Sequence, residues 1–107
     1  MGSMLERLKA ALVALTERCY HYVAAPNTIP PYIVWAEDSD NDLPGNNGHA
    51  EKCLQGTVDL YTKSENDPLL QAIPSALDEV EAAYYLNSVQ YEEETGLIHY
   101  EWVWEVL

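Results

Sequence analysis

The sequence predicts an α+β domain: one mostly antiparallel sheet with two helices packed on one face, in the order α-β-β-β-α-β-β. Three observations carry this. Leucines recur at helical spacing near the start of the chain. Apolar stretches of strand character lie at 32–36, 51–63 and 84–106. A second helical stripe opens at Asp67-Pro68. The chain has 107 residues, of which 48% are hydrophobic, enough for one real core and one domain. Met1-Gly2-Ser3 reads as a cloning scar, and the domain as residues 4–107.

Leu5, Leu8, Leu12 and Leu15 lie three and four residues apart, which predicts an amphipathic helix over residues 4–18. Ser3 and Glu6 have the spacing of a capping box. Residues 20–24 form a short strand, and Pro26 to Pro31 an extended link or turn, because Pro30 and Pro31 resist helix. Tyr32-Ile33-Val34-Trp35-Ala36 is a run of β-formers directly after prolines. Residues 37–48 read as an exposed loop, rich in Asp, Asn, Gly and Pro.

Period two returns at 51–63, with Leu54, Val58 and Leu60 on one parity and Gly56 a possible bulge. Asp67 and Pro68 suit the cap and first residue of a helix carrying Leu69, Leu70, Ile73, Leu77 and Val80. Pro74 removes one helical hydrogen bond, so a kink or a two-piece helix is expected there. The last third is a hairpin, residues 84–93 and 97–106, joined by Glu94-Thr95-Gly96 with Gly96 free to take a positive φ. On its second strand Ile98, Tyr100, Trp102, Trp104 and Val106 share one face. The expected core is Leu8, Leu12, Leu15, Ile33, Val58, Leu60, Leu70, Leu77 and Trp102 or Trp104.

Charge narrows the function. Eighteen acids against five Lys and Arg give a net charge of −13, the opposite of the basic footprint that captures nucleic acid or an anionic membrane. The longest uninterrupted apolar run, Ala10 to Leu15, is far too short for a membrane span, and no secretory signal is visible. Cys19 and Cys53 could pair, but they make no disulfide framework, so a reducing cytoplasm is the expected site of synthesis.

No catalytic centre is expected. The serines lie in no nucleophile elbow, and no glycine-rich phosphate loop exists. Asp38-x-Asp40-x-Asp42 begins like a calcium loop, but Leu43 stands where the turn needs Gly and His49 where the bidentate Glu belongs. Cys19, His21, His49 and Cys53 could together fill a zinc tetrahedron, yet their spacings are those of neither knuckle nor finger. The expectation is therefore no metal and no cofactor. Glu92-Glu93-Glu94 reads as a hydrated hairpin tip. The stripe Tyr100-Trp102-Trp104 reads first as core, and otherwise as half of a subunit interface, where Tyr and Trp are enriched. With Asp38, Asp40, Asp42 and Leu43 of the acidic loop it makes the surface assigned to subunit contact.

The assembled pattern resembles a known family. The N-terminal helix, Pro30-Pro31-Tyr32-Ile33-Val34-Trp35, the polar loop, Val58-Asp59-Leu60-Tyr61-Thr62-Lys63, Asp67-Pro68 with its helix, and Gly96-Leu97-Ile98-His99-Tyr100-Glu101-Trp102 follow one another. This order is similar to that of the small tail terminator (tail-completion, tail-to-head joining) proteins of long-tailed bacteriophages and prophages, over nearly the whole chain from Met4. The resemblance implies a virion tail subunit that forms a ring, typically of six, at the head-proximal end of the tail tube. Its implied partners are further copies of itself, the tail-tube protein and a head-completion or connector protein. DNA would pass through an acidic lumen without sticking. Two alternatives are another neck or minor tail protein, and an acidic DNA mimic that fills the basic groove of a DNA-binding enzyme.

Overall fold

The computed structural model describes residues 3–40 and 54–106. Helix α1 spans Met4–Val13 and α2 Leu69–Glu79; strands are β1 (Cys19–His21), β2 (Tyr32–Asp40), β3 (Leu54–Thr62), β4 (Ala83–Glu92) and β5 (Leu97–Val106). They follow one another in the predicted order. The five strands form one sheet in the order β1-β2-β3-β5-β4. Only β1–β2 is parallel; the other three pairs are antiparallel.

Register decides which residues meet the helices. Ile33 pairs with Leu60 and Leu60 with Tyr100; Trp35 pairs with Val58 and Val58 with Trp102. These rows point at Leu8 and Leu12 of α1 and at Leu69, Ile73, Ala76 and Leu77 of α2, in one apolar cluster. Each fully buried Leu or Ile there contributes about 1.5–3 kcal/mol relative to exposure. Of the expected core, only Leu15 and Leu70 stay partly exposed, packed on the cluster's rim.

Five local expectations are corrected. Helix α1 stops at Val13 instead of 18, because Leu15 N–H turns back to the Leu12 carbonyl at 3.0 Å and tightens the last turn. Strand β1 begins and ends earlier than 20–24; Tyr22, at φ 73°, turns the chain out of it. Strand β2 runs on to Asp40, into the stretch whose composition suggested a loop from Glu37. Pairing with Leu54–Gly56 satisfies its backbone, and the bulge falls at Asp38 on β2, not at Gly56. Helix α2 is one element with Pro74 inside it, not two.

The start of α2 and the hairpin match their signals. Asp67 accepts the Leu69 amide at 2.9 Å and the Thr62 hydroxyl at 2.6 Å, tying the helix to the end of β3. Gly96 takes φ 75° in the β4–β5 turn. The Tyr84 hydroxyl bonds Asp78, linking the start of β4 to the last turn of α2.

Candidate functional site

With both helices on one face, no other described element covers the opposite face of the sheet. Its residues are the other parity of each strand. Tyr32, Tyr61 and His99 are consecutive partners across β2, β3 and β5, and their rings stack at 4.8 and 4.2 Å. One step along, Asp59 pairs with Glu101. Two like charges directly opposite on adjacent strands repel, and His99 relieves this by placing Nε2 2.9 Å from Asp59 Oδ1. On the other side Asn87, the extra residue of a bulge in β4, donates its amide to Glu101 at 2.9 Å.

The titration of this face follows from its geometry. The hydrogen bond to Asp59 raises the His99 pKa; partial burial opposes this, and the charges of Asp59, Glu101 and Glu92 add to it. Burial, and then the charge of Asp59, push the Tyr61 hydroxyl up to about 12. His99 thus takes up a proton more readily than a free imidazole, on a face that carries Asp59, Glu92, Glu101 and Glu105.

Asp59, His99 and Glu101 each bring one ligand atom within 4.8 Å of the others, a spacing that could hold a metal ion. This is not the set that the sequence suggested. Cys19 is half-buried against the core, and burial lifts its thiol to about 11, away from the thiolate that zinc binds. His21 stacks on Trp35 at 4.0 Å and bonds Glu37 at 2.5 Å. His49 and Cys53 lie outside the described residues. The Asp59-His99-Glu101 group was hidden because its signal is cross-strand register, which no spacing along the chain reveals.

The residues assigned to subunit contact part company. Trp102 and Trp104 are enclosed in the core and Tyr100 is half-buried beside it, so most of the aromatic stripe is taken up within the subunit. Asp38 is exposed at the β2 bulge and Asp40 ends that strand; Asp42 and Leu43 lie outside the described residues. Exposed apolar side chains occur elsewhere: Tyr22, Val23 and Ile29 beside β1, and Tyr85, Leu86, Val89 and Tyr91 on β4. One signal was available in the sequence: from Ala83 to Tyr91 there is no charged residue, in a chain of net −13.

No helix among the described residues is long and apolar enough to cross a membrane. No family model and no curated protein matches the chain. Among solved structures, a chain from the virion of a native gene transfer agent particle matches 96% of this chain and 89% of its own, at 14% identity and a TM-score of 0.59. At that identity the likeness is one of fold, which this chain shares almost end to end with a chain of that virion particle.

Proposed function

We propose that the protein is a structural subunit of a phage-like virion that forms a ring at the head-proximal end of the tail tube, ends tube growth and joins tail to head. The observation that carries this is the shared fold with a virion-particle chain, spanning nearly all of both chains. The resemblance of the sequence to tail terminator proteins leads to the same role. The open face supports it physically. A sheet face bearing Asp59, Glu92, Glu101 and Glu105 repels phosphate, the property a DNA-conducting lumen needs. In this reading the protein performs no catalysis and needs no cofactor; its work is contact with copies of itself, with the tube and with the head connector.

The test is electron microscopy of the purified protein mixed with polymerising tail-tube subunits. Rings at one end of tubes of limited length are the expected result. Tubes that grow unchecked, with the protein instead occupying the basic groove of a DNA-binding enzyme, would replace this role with that of a DNA mimic.

A further inference from the structure

The exposed apolar side chains of the sheet fall into two groups at its opposite edges. Tyr22, Val23 and Ile29 flank β1, and Tyr85, Leu86, Val89 and Tyr91 line β4. Strand β4 presents ten residues of edge backbone, and its Ala83–Tyr91 stretch lacks the charges or proline that normally guard an edge. Leu86, Val89 and Tyr91 pair with Trp102, Tyr100 and Ile98, so they lie on the helix-bearing face, exposed by 49%, 52% and 65%.

The two edges match in height and direction. Registers run from Cys19 through Ile33, Leu60 and Tyr100 to Val89, and from His21 through Trp35, Val58 and Trp102 to Leu86. Strand β1 is parallel to β2, and three antiparallel steps then separate β2 from β4, so β1 and β4 point in opposite directions. A second copy displaced sideways, with rotation about an axis along the strands, brings its β1 antiparallel to this β4. Its Arg18, just before β1, then comes level with Gln90, two residues before the acidic end of β4 that begins at Glu92, within the span of an arginine side chain. A two-fold pairing of β4 with β4 would leave the β1 patch unused.

We propose that copies of this chain associate head to tail, the β4 edge of one receiving the β1 edge and the Tyr22–Ile29 connection of the next. Different patches on the two sides make a heterologous contact, which closes into a ring when the rotation allows. The inference rests on the ring reading above and names the surfaces that would build it.

Two edge-blocked variants test it. One carries Leu86→Lys and Val89→Lys on β4; the other carries Val23→Lys and Ile29→Lys beside β1. All four positions are exposed, so folding should survive, and an unchanged urea midpoint checks this. Sedimentation of the unmodified protein should show species larger than a dimer. Each variant alone should lose self-association by about 100-fold or more, a difference of roughly 2.7 kcal/mol. An equimolar mixture of the two should form a one-to-one dimer, because one intact β4 edge meets one intact β1 edge. Three results would overturn the contact: the β1-side variant dimerising by itself, a mixture that stays monomeric while the unmodified protein assembles, or an unmodified protein monomeric up to about 1 mM, where association is worth only about 4 kcal/mol. Caps on tubes despite any of these would leave the ring reading standing, built from other surfaces.

Discussion

Trp104 occupies the space that a side chain at Gly56 would need. The two are directly paired across β3 and β5, and a Cβ on Gly56 would come within 2.6 Å of Trp104 Cζ2 and 2.7 Å of the Glu37 Cα, and would run into the Ala36 carbonyl oxygen. Two of these three obstacles are backbone of β2, which cannot swing aside as a side chain tip can. Gly56→Ala should therefore destabilise the fold by about 3 kcal/mol or more, above the usual 1–3 kcal/mol for overpacking. A shift in the urea midpoint corresponding to less than about 1 kcal/mol would mean that the β2–β3 pair relaxes freely there.

His99 should make stability depend on pH. Its folded pKa is raised, chiefly by the bond to Asp59, above an unfolded value of about 6.5. The stabilisation is then complete below about 6.5 and fades as pH rises through the folded value. His99→Gln should cost about 1–2 kcal/mol at pH 5.5 and much less at pH 9. Urea midpoints across that range provide the check, and a gap independent of pH refutes the assignment. Glu37 does not confuse the reading. Burial alone would raise its pKa, but its bonds to His21 and Tyr22 hold it below the usual value, so its contribution is lost only at more acid pH.

Asp67 is buried and accepts two hydrogen bonds, one from the Leu69 amide and one from Thr62, itself buried. Asp67→Ala removes the support of the first turn of α2 and strands a hydroxyl, a loss of about 2–4 kcal/mol. Asp67→Asn keeps an acceptor of the same shape and should lose under about half of that. Equal losses in the two variants, measured by urea unfolding, would show that charge matters more than the bonds.

Pro74 lies inside a continuous α2 and leaves the Leu70 carbonyl without its helical donor. An interior proline costs a helix about 3 kcal/mol, offset by about 0.4–1 kcal/mol of lost unfolded-state entropy. Pro74→Ala should raise stability by about 1 kcal/mol or more. A neutral or lowered melting temperature would show that the proline ring packs well enough to compensate.

The sequence revealed the elements better than their partners. Leucine spacing located both helices, and the parity of Ile98 to Val106 placed Trp102 and Trp104 in the core. Asp67-Pro68 and Gly96 marked a helix start and a turn by local chemistry alone. The extension of β2 to Asp40 was illegible because its support comes from Leu54–Gly56 across a bulge, not from its own acidic residues. The open face was hidden for the same reason. Asp59 and His99 are 40 residues apart, and only the placement of β5 beside β3 brings them together. The exposed β4 edge followed from a sheet order that composition does not encode.

That order also sets a sequence of events in time. Of the described elements β5 is the last in the chain, yet it lies inside the sheet, between β3 and β4. While the chain is being synthesised, β3 has only β2 for a neighbour until α2, β4 and the turn have all been made. The step that completes the sheet therefore closes a long loop, a slow kind of contact to form, and comes late. Until it does, Val58 and Leu60 lack their cover and β4 has no partner on either side. Chaperones or rapid release of the nascent chain would matter most in this interval, and a chain cut short in the β4–β5 turn would keep every earlier element while exposing an unpaired β4 and the open edge of β3 to aggregation.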